Sequence, residues 1–85
     1  MKPVTIYTTQ FCPYCREAKQ LLGQKGVVFE EIDVTMDRSA RQVMSDRANG
    51  RYTVPQIFVG EVHIGGCDDL YDLDRAGRLD GLLVA

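Results

Sequence analysis

The stretch Cys12–Cys15, read Cys-Pro-Tyr-Cys, constrains the fold more than any other part of the chain. An apolar, β-branched run over residues 4–7 precedes it, and a helix-patterned run over residues 16–25 follows it. We therefore expect a strand-to-helix turn, with Cys12 capping the helix and Pro13 at its first position, where a missing N–H costs nothing. Two thiols one helical turn apart can open and close a disulfide, so this turn is a candidate redox centre.

The position of the two thiols predicts different roles for them. Unpaired backbone N–H groups and the helix dipole stabilise a thiolate at a helix N-terminus, and such sites lower a cysteine pKa from about 8.5 to roughly 3.5–7.5. Arg16 adds positive charge nearby. We expect Cys12 to be the exposed nucleophile of low pKa and Cys15 to be the more buried resolving thiol.

Size and composition restrict the class of protein. The 85 residues suffice for one small domain, residues 1–85, without internal repeats. A net charge of -2 and the lack of a basic patch argue against nucleic-acid binding. No apolar run approaches the ~20 residues of a membrane span, and the N-terminal residues lack a signal-peptide pattern, so we expect no membrane association and a cytoplasmic location. Three cysteines are too few, and odd in number, for a disulfide-stapled secreted domain, and a Cys-x-x-Cys in a reducing compartment is more often catalytic or metal-binding.

The first half of the chain predicts a β-α-β-α order. Residues 27–34 mix β-branched and charged side chains, which is typical of an edge or half-exposed strand parallel to the first. Thr35 or Asp37 is expected to cap a second helix that ends at Asn49-Gly50. The side chains expected to face the core are Cys15, Ala18, Leu21 and Leu22 of the first helix, and Ala40, Val43 and Met44 of the second.

The second half predicts a hairpin and a helix. Residues 56–59 and 62–64 are joined only by Gly60-Glu61, a pattern that favours a type II′ turn. Asp68 or Asp69 is expected to cap a third helix, and a short turn follows over residues 79–84. The inward side chains of this helix are predicted to be Leu70, Leu73 and Ala76. The sum is an α/β fold, β-α-β-α-β-β-α, with a four-stranded mixed sheet and helices on both faces.

Two further stretches gain meaning only beside the first. Thr53-Val54-Pro55 alone suits a proline at a strand entry, and Gly65-Gly66-Cys67-Asp68-Asp69 alone suits a turn followed by helix caps. Together with Cys-Pro-Tyr-Cys, in this order, they make the whole chain resemble the dithiol glutaredoxins, particularly the small bacterial ones. The resemblance implies a thioredoxin-like fold, catalytic Cys12 and Cys15, a cis Val54–Pro55 bond and a glutathione site.

The resemblance also implies which residues contact glutathione: Tyr14, Arg51, Thr53, Val54, Pro55, Gly66, Cys67 and Asp68. The Val54 backbone would pair with the glutathione cysteine as a short added strand, while Tyr14 and Thr53 flank its sulfur. N–H groups near Cys67 and Asp68 would bind the γ-glutamyl carboxylate at a helix N-terminus, and the Asp68 carboxylate would accept from the α-amino group. Arg51 would meet the glycyl carboxylate.

The chain departs from this pattern at one position. Many family members carry Lys three residues before the first cysteine, where this chain has Thr9. The activity implied is glutathione-dependent reduction of protein–glutathione mixed disulfides and protein disulfides. Glutathione would act as a reducing co-substrate, with no tightly bound cofactor and no metal, and we expect a monomer whose partners are disulfide-containing or glutathionylated proteins.

Three other interpretations stay open at this point. Cys12, Cys15, His63 and Cys67 form a zinc ligand set in kind, although the gap between the pairs is longer than usual. An iron–sulfur cluster held by Cys12 and glutathione is a second alternative. A thioredoxin-like carrier served by a reductase is the third, and the lack of a Trp before Cys12 argues against it. Cys67 suits a small buried residue, with regulatory oxidation as its alternative role.

Overall fold

The computed structural model describes residues 1–84 and shows the predicted order of elements, with the C-terminal turn forming a short helix. The elements are β1 (Val4–Thr8), α1 (Pro13–Gln24), β2 (Phe29–Asp33), α2 (Arg38–Arg47), β3 (Gln56–Val59), β4 (Val62–Gly65), α3 (Cys67–Arg75) and α4 (Leu79–Leu83). Within this described part of the chain, none of the helices combines the length and the apolar character that crossing a bilayer requires.

The sheet is mixed, with strand order β2-β1-β3-β4. Strand β1 lies in the middle, parallel to β2 with Val4 opposite Phe29, and antiparallel to β3 with Val4 opposite Val59. Strand β2 is at the edge, and its exposed Glu30 and Glu31 confirm the half-exposed strand predicted from the charges. Because β1 is a central strand, the turn that follows it lies near the middle of the sheet, at the end where β1 stops.

Side chains of successive strand residues point to opposite faces, so the two faces carry separate cores. On one face, Ile6 and Ile57 pack with residues of α1, α3 and α4, including Leu22, Leu70 and Leu79. On the other face, a smaller cluster packs against α2: Tyr7, Val34, Met44, Ala48 and Phe58. Helices thus cover both faces of the sheet, as predicted, and the turn that contains Cys12 and Cys15 follows a strand that is packed on both sides.

The hairpin between β3 and β4 contains a bulge. Val59 pairs with Val62 around the two-residue turn. Gly60 has a positive φ of 57° and Glu61 has a negative φ, which is the pattern that the predicted type II′ turn requires. Phe58 then pairs with His63 but Ile57 pairs with Gly65, which leaves Ile64 as the extra residue. The bulge shifts the end of β4, and with it the start of α3.

Helix α2 corrects one core prediction. Its N-cap is Asp37, whose carboxylate accepts from the Ala40 N–H at 2.9 Å, and its end has left-handed residues at Asn49 and Gly50, as expected. Val43, however, is 52 % exposed rather than inward. The buried stripe of α2 follows the i, i+4, i+8 spacing of Ala40, Met44 and Ala48. The buried face is turned toward Ser45, which is 6 % exposed, and Val43 lies on the opposite side of Met44.

Two predictions for helix α3 are wrong, namely its N-cap and the inward position of Ala76. Its N-cap is Gly66, so Asp68 and Asp69 lie in the first turn and neither is the cap. The predicted inward Ala76 is exposed because it is the C-cap, where the chain leaves the helix toward α4. Leu70 is buried and Leu73 packs partly buried against the main cluster, so the apolar face of α3 is otherwise as predicted.

Candidate active site

The two cysteines lie at the N-terminus of α1, directly after the central strand. Cys12 is the N-cap, with extended φ and ψ of -133° and 101°, and Pro13 is the first helical residue. The Cys15 N–H donates to Cys12 Sγ at 3.1 Å, and the Arg16 N–H donates to the Cys12 carbonyl at 3.1 Å. The sulfur of Cys12 therefore accepts one of the helix N–H groups that have no partner inside the helix.

Cys12 and Cys15 form a disulfide in the structure, with their Cα atoms 5.2 Å apart. Cys12 is 8 % exposed and Cys15 is 1 % exposed. Cys12 is thus the more accessible cysteine of the pair. The expectation that Cys12 is exposed is wrong for this oxidised form. Its sulfur is covered by Cys15 on one side and lies 3.9 Å from the Val54 carbonyl oxygen on the other.

The loop opposite the cysteines contains the predicted cis peptide bond, Val54–Pro55. Arg41 of α2 anchors this loop, because its Nε and Nη2 donate to the Tyr52 carbonyl at 3.2 and 2.9 Å and its guanidinium lies 4.7 Å from the centre of the Tyr52 ring. Arg41 carries no signal in the sequence, since only the packing of α2 beside the loop brings it to Tyr52.

A groove of about 140 Å³ lies between this loop and the start of α3. Cys12 does not line it, but Cys12 Sγ lies 3.9 Å from the carbonyl oxygen of Val54, which does. Its lining residues are Tyr14, Arg51, Thr53, Val54, Pro55, Gly66, Cys67, Asp68 and Asp69. All eight residues predicted to contact glutathione therefore line one surface, although they come from three separate stretches of the chain. Asp69 is the one lining residue that the sequence prediction treated only as a helix cap.

Asp69 connects the two sides of the groove. Its Oδ2 accepts from the Gly66 N–H at 2.8 Å and from Arg51 Nη1 at 3.1 Å. The Gly66 hydrogen bond, and then the Arg51 guanidinium, hold the pKa of the Asp69 carboxyl below its ordinary value. Its spacing of three residues from a glycine N-cap is the sequence signal that could have identified it.

Comparison with known proteins agrees with this geometry. The glutaredoxin family model matches residues 4–64. The chain is 56 % identical to a glutaredoxin of Pseudomonas aeruginosa over 85 residues, the full length of both chains. The chain belongs to the glutaredoxin family. It is accordingly a thiol–disulfide oxidoreductase, and Cys-Pro-Tyr-Cys is the motif expected to carry that activity.

Solved glutaredoxin structures share the fold. The glutaredoxin of Brucella melitensis superposes with a TM-score of 0.86 at 54 % identity, covering 98 % of this chain and 89 % of that one. A complex of buckwheat glutaredoxin with glutathione superposes with a TM-score of 0.85 at 30 % identity, covering 96 % and 76 % of the two chains. The thioredoxin-like architecture predicted for this glutaredoxin is confirmed.

The third cysteine of this glutaredoxin lines the groove, in a different environment from Cys12. Cys67 is 6 % exposed, and its Sγ lies 3.9 Å from Glu17 Oε2. Burial, and then the negative charges of Glu17 and Asp68, raise the pKa of the Cys67 thiol. Because only the thiolate is a strong nucleophile, this environment keeps Cys67 in its unreactive form.

The structure gives no support to a zinc site in this glutaredoxin. His63 Nε2 is 2.7 Å from Gln56 Oε1, so this ring nitrogen already has a partner. Across residues 1–84, no three side chains among His, Cys, Asp and Glu come together as metal ligands would.

Thr9 stands where many family members have Lys, and it is half-buried in the loop before Cys12. The neighbouring Gln10 N–H donates to Thr35 Oγ1 at 2.7 Å.

Proposed function

We propose that this glutaredoxin takes its reducing equivalents from glutathione and acts on protein–glutathione mixed disulfides and on protein disulfides. One observation carries the proposal: the eight residues predicted to contact glutathione line a single groove, and one of them, Val54, has its carbonyl oxygen 3.9 Å from Cys12 Sγ. The buckwheat relative was solved with glutathione bound, which supports the same ligand for this chain.

The chemistry of the groove suits an extended tripeptide with two carboxylates. The start of α3 supplies backbone N–H groups near Cys67 and Asp68 for one carboxylate, since the first N–H groups of a helix have no intrahelical partner. Arg51 supplies a guanidinium for the other. The Val54 backbone also lines the groove, with its carbonyl oxygen 3.9 Å from Cys12 Sγ, and a peptide backbone could pair with it as an added strand.

The proposed reaction proceeds by two thiol–disulfide exchanges. The Cys12 thiolate attacks the glutathione sulfur of a mixed disulfide, so that a Cys12–glutathione disulfide forms and the protein thiolate leaves and takes up a proton. A second glutathione thiolate then attacks the glutathione sulfur on Cys12, which gives oxidised glutathione and restores the Cys12 thiolate. The N-terminus of α1 favours both steps, because it stabilises the thiolate as nucleophile and as leaving group.

Protein disulfides would require Cys15. Cys12 first forms a mixed disulfide with the protein, and the Cys15 thiolate attacks Cys12 Sγ to release the protein and form the Cys12–Cys15 disulfide seen in the structure. Two glutathione molecules reduce that disulfide. We propose that the protein works as a monomer in the reducing cytoplasm, on disulfide-containing or glutathionylated proteins and without a tightly bound cofactor.

The test compares two electron sources with one substrate. Turnover of a glutathionylated peptide is measured with glutathione and glutathione reductase, and separately with thioredoxin reductase. We expect turnover only with glutathione. Efficient turnover with thioredoxin reductase and none with glutathione would instead identify a thioredoxin-like carrier. Cys12→Ser should be inactive in either assay, while Cys15→Ser should keep most of the activity on the glutathionylated peptide.

A further inference from the structure

Gln56 is a completely buried polar side chain at the first position of β3, directly after Pro55. It does not line the groove. A buried amide costs free energy unless its donors and acceptor have partners. The partners of Gln56 therefore indicate why an amide is present among apolar strand residues.

Both ends of the Gln56 amide are used. Its Nε2 donates to the Thr53 carbonyl at 3.0 Å and lies 3.3 Å from Thr53 Oγ1. Its Oε1 is 2.7 Å from His63 Nε2. Because an amide oxygen only accepts, His63 Nε2 carries the proton in this contact.

His63 is held in place by its own packing. It is paired with Phe58 across the hairpin, and the two rings stack with centroids 5.0 Å apart and planes at 29°. Strand β4 continues from His63 to Gly65, and the next residue, Gly66, is the N-cap of α3 and lines the groove. The amide of Gln56 thus links Thr53 on one side of the groove to the strand that leads into the other side.

We propose that Gln56 is a positioning residue for the reaction with glutathione. With Gln56 Nε2 donating to it, the Thr53 hydroxyl oxygen has its own proton free to donate into the groove. The same amide, anchored by His63, fixes the Thr53 carbonyl and hence the backbone that precedes Val54. Gln56 therefore presents Thr53 as a hydrogen-bond donor to the bound sulfur compound. This inference rests on the proposed function, since glutathione is the ligand that Thr53 would meet.

The kinetic test uses Gln56→Met, which keeps the side-chain length and removes the amide, and His63→Phe, which keeps the stacked ring and removes the donor. Each should raise KM for a glutathionylated peptide by about tenfold and leave kcat within about twofold, as expected when binding is weakened equally in the ground state and the transition state. His63→Gln restores an N–H donor and should recover part of the loss. Leu83→Ala, a buried α4 residue outside the groove, serves as the control for general destabilisation.

A second measurement keeps failure of this inference separate from failure of the proposed function. Three-bond NMR couplings report the χ1 angle of Thr53 without any substrate, and they should show one rotamer in the wild type and averaging in Gln56→Met. An unchanged rotamer, or a KM increase no larger than that of Leu83→Ala, overturns the role of Gln56. A wild type that does not prefer glutathione overturns the proposed function, and the Thr53 couplings then decide the role of Gln56 alone.

Discussion

Arg51 and Asp69 form an ion pair across the rim of the groove, with 3.1 Å between Arg51 Nη1 and Asp69 Oδ2. Both side chains are about half exposed, at 47 % and 45 %. The same Asp69 oxygen accepts from the Gly66 N–H, so the pair connects the loop after α2 with the start of α3. Because a guanidinium has five N–H groups, Arg51 can keep this contact and still donate to a ligand carboxylate.

Replacing Arg51 tests its proposed contact with glutathione. Arg51→Met should raise KM for a glutathionylated peptide about fivefold, because a half-exposed charged hydrogen bond contributes about 1 kcal/mol. The KM of Arg51→Lys should lie between those of the wild type and Arg51→Met, since lysine keeps the charge and loses the planar guanidinium. Arg78→Met removes an exposed charge outside the groove and is the control. Equal KM values for Arg51→Met and Arg78→Met would contradict the assignment.

Gly65 is a second position where the rim is tightly built. Its φ is +116°, and an added Cβ would collide with the Asp69 carboxylate and lie 2.9 Å from Arg51 Nη1. Gly65→Ala should therefore lower the free energy of unfolding by about 1–3 kcal/mol, measured by urea denaturation. The matched control is Gly23→Ala in α1, where a Cβ meets nothing within 4 Å, and it should raise stability by about 0.5–1 kcal/mol. Equal effects at the two glycines would refute this explanation.

The pKa of Asp69 predicts a pH dependence. The Gly66 N–H and Arg51 lower its pKa from the ordinary 3.8, so the ionised form stabilises the folded state. That contribution is present above pH 3.8 and is lost as pH falls through the lowered pKa, because protonation removes the charge. In urea unfolding from pH 7 downward, the difference between wild type and Asp69→Asn should stay constant and then shrink below pH 3.8. A difference that grows with acid would contradict this sign.

Cys67 should be the slow thiol of the reduced protein. Its pKa is raised above 9.0 by burial and by the Glu17 and Asp68 carboxylates, so little thiolate exists at neutral pH. Iodoacetamide followed by peptide mapping should show Cys12 modified first and Cys67 last, with the Cys67 rate still rising above pH 9.0 because its pKa lies higher than that. Glu17→Gln removes one negative charge and should speed the modification of Cys67. Rapid modification of Cys67 at pH 7 would contradict this prediction and favour the alternative role, regulatory oxidation.

The elements and the redox centre could be predicted because their signals are local. The apolar, β-branched run of β1, the spacing of Cys12 and Cys15 and the Gly60-Glu61 turn each depend on residues within a few positions of one another. Pro13 at the first helical position marks the turn in the same way. The three motifs of the resemblance then supplied the groove residues.

The missed features depend on contacts between distant segments. Arg41 meets Tyr52 only because α2 packs beside the loop, and Gln56 is buried only because β4 returns with His63 above it. Helical spacing places Val43 beside Met44, but it does not show toward which side of Met44 the buried face is turned, and the structure buries Ser45 instead. Such features follow from tertiary packing, which a single sequence does not display.

The adduct formed by Cys15→Ser tests the central claim most directly. This variant retains Cys12 and Cys67 but has no resolving thiol, so a glutathione disulfide on Cys12 should accumulate. The variant is treated with a glutathionylated peptide, its intact mass and peptide map are recorded, and the rates of adduct reduction by glutathione and by free cysteine are compared. We predict one glutathione on Cys12, removed faster by glutathione than by cysteine. An adduct on Cys67, or equal removal by the two thiols, would contradict a glutathione-directed Cys12.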